Sequence, residues 1–291
     1  MNPKDWKKLV GIVVIALGAM CFIPSQAYSS EDGASSEVML KTRHIFESDV
    51  EATSNQIEIN ESQLEFRREI KAGELPLTFG FVAKHIDINE DLAVELPSHL
   101  EGDSLILGTK FPMPFSSSDR YFVGVDIFPS MYTDDGEFKS GAFRIPFRVY
   151  GIYKESADFI VIAGVSIRPD YDTTALPILG IIYRPNDRLM FNLASDDPYI
   201  SYKLNEQLTA LWEIGFVTDE YEVTRDGQGG VVLKYSELST GVGLRYDVTS
   251  NLQTSLAVGG VFSRRIEYRD DVGKVVADGG LYTNFKISAK F

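Results

Sequence analysis

The chain has 291 residues, 44% hydrophobic and 24% charged, with a formal net charge of −14 at pH 7 and a mean hydropathy close to zero. A disordered chain would be poorer in apolar residues and a helical membrane protein far richer, and the negative field argues against nucleic acid as a partner. Cys21 is the single cysteine, so no intrachain disulfide framework is available.

Residues 1–27 read as a secretory signal peptide. Lys4, Lys7 and Lys8 precede an apolar run over 9–23, and the small residues Ser25 and Ala27 place cleavage after Ala27. The run falls short of the ~20 residues of a spanning helix, and no later run reaches that length. An uncleaved anchor is the alternative reading; Met20 before Cys21 fits a lipoprotein signal poorly. Cleavage removes three lysines, one aspartate and the cysteine, so the exported chain is cysteine-free and more acidic still. Residues 28–36 read as a polar periplasmic leader and 37–291 as one domain.

That domain is a succession of period-two runs without a convincing amphipathic helix. Two early runs, "EVMLKTRHIF" and "SQLEFRREIK", precede an alternating strand over 77–86. Next, "AFRIPFRVYGIY" sets Phe143, Ile145, Phe147 and Val149 against Arg144, Arg148 and Tyr150. "TALWEIGFVT" sets Trp212, Ile214 and Phe216 against Glu213. "ELSTGVGLRYDV" sets Leu238, Val242 and Leu244 against Glu237 and Arg245. "LQTSLAVGGVFSRRIEY" sets Leu256, Val258 and Phe262 against Arg265 and Glu267. The chain closes on "GGLYTNFKISAKF", with Leu281, Phe285, Ile287 and Phe291 opposite Lys286.

Most runs reach the ~9–11 residues that a tilted strand needs to cross a hydrocarbon core. Their connections alternate in length. Long ones fall at 89–102, 130–141, 168–174, 218–230 and 269–280, and short ones at "SSSD", "KESAD", "RPND", "LNEQ" and "DVTSN"; only "ASDDP" is short where a long one is due. Short periplasmic turns and long outer loops have this rhythm, and a two-sheet sandwich has no reason for it. The expected fold is all-β: a transmembrane up-and-down antiparallel β-barrel of 14 strands, or of 12 if the first two runs form a periplasmic extension. Either even count places both termini on the periplasmic side.

From about Leu176 onward, "LPILGIIYRPNDRLMFNL", "DPYISYKLNEQL", "YEVT", "LKYSELSTGVGLRY" and "GGVFSRRIEY" resemble the core of an uncharacterised bacterial outer-membrane barrel family, known only as a domain of unknown function. With a weaker match from Leu64, the resemblance covers about two thirds of the exported chain. It implies a Gram-negative outer-membrane protein and supplies no catalytic residues; the long N-terminal segment departs from the pattern.

With the apolar faces on lipid, the opposite faces line a lumen holding Arg144, Arg148, Lys203, Glu213, Glu237, Arg245, Arg265, Glu267 and Lys286. Such charges either form a selectivity zone for small polar solutes or pair and fill the interior. Phe285, Ile287 and Phe291 carry the expected C-terminal signal for the barrel assembly machinery, because an unfinished barrel pairs at its last strand. Acidic pairs recur in the expected outer loops, among them Asp196 with Asp197 and Asp219 with Glu220. They read as solvated loop tips facing lipopolysaccharide or as divalent-cation bridges, without calcium-loop spacing. The three histidines are His44, His85 and His99. His99 beside Ser98 in an outer loop makes no dyad by adjacency, and no nucleophile elbow, P-loop or paired-His zinc motif is present. The expected function is a passive channel or small-solute transporter of the outer membrane, with neither enzymatic activity nor cofactor. The rival is a non-conducting structural or surface-interaction barrel.

Overall fold

The computed structural model describes residues 35–51, 55–73, 75–90, 96–114, 116, 118–137, 141–194, 196–225, 228–269 and 273–291. The stretch expected as signal peptide and nearly all of that expected as leader lie outside the described residues. Fourteen wall strands follow in chain order: β1 (Ser35–Asp49), β2 (Gln56–Ala72), β3 (Leu75–Glu90), β4 (His99–Pro112), β5 (Tyr121–Ile127, continued by Ser130–Thr133), β6 (Phe143–Arg144, then Phe147–Lys154) and β7 (Phe159–Ile167). The rest are β8 (Ala175–Tyr183), β9 (Leu189–Asn192), β10 (Tyr199–Lys203), β11 (Leu208–Arg225), β12 (Gln228–Asp247), β13 (Leu252–Tyr268) and β14 (Lys274–Ala277, then Gly280–Lys290). Each pairs antiparallel with its neighbours in sequence. β1 closes on β14 from Glu37↔Lys290 to Ile45↔Tyr282, and Ser36 and Phe291 exchange backbone hydrogen bonds of 3.0 and 2.8 Å beyond it. The barrel is closed, both early runs belong to its wall, and β1 begins at Ser35, inside the stretch expected as leader.

Alternation turns the apolar residues outward. Leu179, Phe216, Val242, Leu256, Phe262 and Leu281 are all more than half exposed. With their neighbours they form the apolar belt that a bilayer covers. Above it the outward positions become polar, as at Thr218, Ser236 and Arg265, which follow one another across β11, β12 and β13.

The wall is uneven in height. β6 to β10 stop low, whereas β1 to β5 and β11 to β14 continue toward the end that carries the long connections. There the tip of β5 reaches β11, with Thr133 paired to Glu222 and the Tyr132 and Tyr221 rings edge to face at 5.3 Å. The outer section is thus bounded by nine strands, a circumference whose interior side chains can fill. Fill it they do. Ile45, Ile57, Ile59, Ile86, Leu100, Tyr221, Val223, Leu233, Tyr235 and Ile266 are buried within it.

This core explains a difference from the expected loops. Segment 218–230 is strand on both sides of residues 226–227, which lie outside the described residues, and the first residues of 130–141 extend β5. Inward apolar residues hold these extensions in the wall. Asp219 and Glu220, expected at a loop tip, lie in β11. Lys84 Nζ sits 3.0 Å from Asp219, and Arg144 donates at 3.1 Å to the Glu220 carbonyl.

Candidate functional site

Below the packed section the barrel widens to its full fourteen strands. In the connection between β9 and β10, the short one in a long slot, the described residues 193–194 and 196–198 lie inward there. Its base is tied to the wall: Leu193 N–H donates to the Ile181 carbonyl at 2.9 Å, and Ile214 N–H to the Pro198 carbonyl at 3.1 Å. A Cβ on Gly180 would meet the Ala194 Cα at 2.6 Å, so glycine is what lets the hairpin lie this close to β8.

The hairpin carries its two carboxylates across the lumen. Arg148 donates to Asp196 at 2.7 Å and Arg67 at 3.4 Å. Lys41 reaches Asp197 at 3.0 Å and Lys286 at 3.5 Å. These cations come from β6, β2, β1 and β14, so one loop ties four wall strands through ion pairs that remain partly exposed to water. Beside it lies a cavity of ≈ 380 Å³ lined by Arg67, Lys110, Asp126, Arg148, Tyr150, Asp196 and residues of the first and last strands, including Glu37 and Lys290. Charges of both signs facing one another across such a space set up a transverse field on any solute within it.

The expected lumen residues divide by height. Arg148 and Lys286 hold the hairpin. Glu213 accepts from Asn284 Nδ2 at 3.2 Å, and Arg245 lies 5.9 Å from the centre of the Tyr199 ring; Lys203 ends β10 near the short turns. Arg144 and Glu237 are buried higher up. Glu237 is held by Arg43, by Arg264 at 3.4 Å and by the Tyr235 hydroxyl at 2.8 Å.

Arg265 and Glu267 do not line the lumen. The register of β12 with β13 shifts between Leu238 and Ser239, and this bulge inserts one residue of β13 at Phe262–Ser263. A one-residue slip exchanges the faces, so Arg264 points inward and is fully buried while Arg265 is exposed. Sequence spacing missed Arg264, although the doublet Arg264-Arg265 offers either residue to the lumen. It also missed Lys41 and Arg67, which lie in the two runs whose membership of the wall was in question.

At the terminal strand, Phe285 pairs with Leu256 and Ile287 with Thr254 on the outer face. His99 opens β4 rather than occupying a loop. Its Nδ1 lies 3.1 Å from Ser98 Oγ and its ring stacks on His85 at 6.1 Å. Among the described residues, no three His, Cys, Asp or Glu side chains converge as a metal site.

Closure, apolar belt and charged lumen together define a transmembrane β-barrel of the bacterial outer-membrane type. Solved structures similar to the chain include an outer membrane channel from Pseudomonas putida F1 (TM-score 0.47, 10% identity, 89% of this chain and 96% of that one). A FadL homologue from Pseudomonas aeruginosa (0.47, 11%, 90% of each chain) and the KdgM porin (0.37, 10%, 87% and 99%) are further ones. At such identity the likeness concerns the fold alone, which the strand register already establishes. No protein-family model matches the chain, and no curated protein does; the resemblance stands at the coarser level of an outer-membrane barrel.

Proposed function

We propose that the chain is a passive outer-membrane channel or small-solute transporter whose constriction is formed by Asp196 and Asp197 of the β9–β10 connection. The observation that carries this reading is the set of four cations from four wall strands meeting Asp196 and Asp197 beside a cavity lined by charges of both signs. A barrel built only to be filled has no use for a zone of opposed charge, whereas a channel uses one to discriminate among solutes.

Planar-bilayer recordings of refolded protein test it. Wild type is expected to give small unitary steps. Asp196→Asn with Asp197→Asn removes the two loop carboxylates that face Lys41, Arg67, Arg148 and Lys286, which enlarges the steps and shifts selectivity toward anions. Silence in both proteins, together with no liposome swelling in small sugars, overturns the reading in favour of a non-conducting barrel. The packed outer section favours that second reading, because it leaves no axial exit among the described residues; solutes must leave the lumen below it.

The partners follow from the same placement. Lipid covers the belt, and the outer connections face lipopolysaccharide. β14 with Phe285, Ile287 and Phe291 is the segment offered to the barrel assembly machinery. Phe291→Ala should then lower the heat-modifiable fraction assembled in cells while leaving refolding in detergent unchanged. The reading assigns no hydrolytic step to Ser98 and His99, so an esterase assay on His99→Ala is expected to match wild type.

A further inference from the structure

The wall has an opening above the hairpin. β8 meets β9 only through Ile182↔Asn192 and Tyr183↔Phe191, and β10 meets β11 only from Tyr199↔Glu213 to Lys203↔Thr209. Higher up, β8 and β11 continue without those two strands between them. The register that links Ile182 to Glu213 through the hairpin continues to place Gly180 opposite Gly215, Leu179 opposite Phe216, Ile178 opposite Val217 and Pro177 opposite Thr218. Two missing strands leave three strand spacings, about 14 Å across. The sill is formed by the bonds from Leu193 to Ile181 and from Ile214 to Pro198, and the lintel by Arg168, which donates to the Thr218 carbonyl at 2.7 Å. Along β11 from Ile214 to Thr218 that is about 13 Å.

Three features say what the opening is for. It lies at the top of the apolar belt: Leu179 and Phe216 on its two edges are 79% and 66% exposed on the lipid side, and polar outward positions begin one step higher at Thr218. Unpaired backbone at that depth is tolerated only where it is buried in protein or lines a water-filled cavity. Pro177, on the free edge, has no N–H to leave unmatched.

The lumen wall leading to the opening is also apolar. On β7, β8 and β9 the lumen face carries Ile160, Ile162, Ile178, Ile182 and Met190, while Phe159, Leu179 and Tyr183 on the alternate positions face lipid. Barrel interiors are ordinarily polar, and the facing wall here carries Lys41, Arg67 and Lys286. A greasy strip thus rises from the short-turn end to a frame whose charged member, Arg168, is engaged with the Thr218 carbonyl.

We propose that this opening is a lateral port through which small apolar solutes pass between the outer leaflet and the lumen. The inference deepens the channel reading and rests on it. Apolar solutes fit because the port delivers into hydrocarbon, where a polar solute would lose its hydration without replacement, and because the strip offers them contact along the way.

The exported chain lacks cysteine, so Leu179→Cys with Phe216→Cys can be bridged across the port by a bismaleimide containing a disulfide. Uptake of the apolar fluorophore N-phenylnaphthylamine is followed in cells producing the full chain, beside conductance of the same protein. Bridging is expected to reduce uptake to that of cells without the protein, and reductive cleavage of the linker to restore it. Ile178→Glu, which charges the strip and leaves the frame intact, should give the same loss with the folded band retained on gels. Conductance or sugar flux with dye uptake absent, or unaffected by bridge and charge alike, overturns the port and spares the channel. No flux of any kind in any variant overturns both.

Discussion

The outer and lower sections of this barrel are built from the same alternating strands, yet one is packed solid and the other holds a charged cavity. Ile59 and Ile160 both face inward. Ile59 is completely buried against residues from strands on the far side, whereas Ile160 is only half-buried and borders the lumen. The difference lies in circumference: nine strands bring opposite walls within side-chain reach, and fourteen do not. Alternation decides which way a residue points, and strand number decides what it meets there.

Substitutions can break or sharpen this contrast. The largest effect is expected for Glu237→Ala, which strands Arg264, fully buried, and leaves Arg43 with Glu61 alone; uncompensated buried charge costs about 3–5 kcal/mol. Urea unfolding followed by gel mobility measures it. Next, Ile59→Ala should cost about 2–5 kcal/mol by opening a cavity, while Ile160→Ala should cost below about 1 kcal/mol. Equal losses at the two sites would erase the distinction between a solid and a cavity-bearing section. Arg148→Ala, which removes a partly exposed partner of Asp196, should change stability by about 1 kcal/mol or less yet alter channel selectivity.

The smallest effect concerns acid. Burial tends to raise the carboxyl of Asp197, but Lys41 and Lys286 more than offset it and hold the group well below the usual carboxylate range. Because its value in the folded hairpin is depressed, the contribution is complete above the ordinary carboxylate value and is lost as pH falls beneath it. The share of single-channel current that Asp197 controls, read as the difference between wild type and Asp197→Asn, should therefore stay constant from neutrality down to about pH 4 and change only in stronger acid. The carboxylate is half exposed to lumen water, which limits the size of that change.

Local pattern carried much of this molecule. Phe143, Ile145 and Val149 face out, and Arg144 and Arg148 face in, as their spacing dictates. The inward hairpin was signalled by "ASDDP", too short for its slot, and the greasy strip by "FIVIAGVSI" and "LPILGIIY", apolar at odd and even positions alike. What the sequence hid is non-local. The bulge at Phe262–Ser263 depends on the pairing of β13 with β12, and it moved Arg265 and Glu267 off the lumen face. The solid outer section depends on β5 reaching β11, a meeting of segments some ninety residues apart that no period-two count contains.

That meeting has a consequence in parity. Successive staves of an up-and-down cylinder run in opposite directions, so an even ring can close with every junction alike, and an odd one cannot. The upper ring has nine members and must contain one junction where both run the same way. It is the single bridge between Thr133 and Glu222, directly above the gap in the wall. Arithmetic, as much as chemistry, thus fixes where the cylinder is weakest.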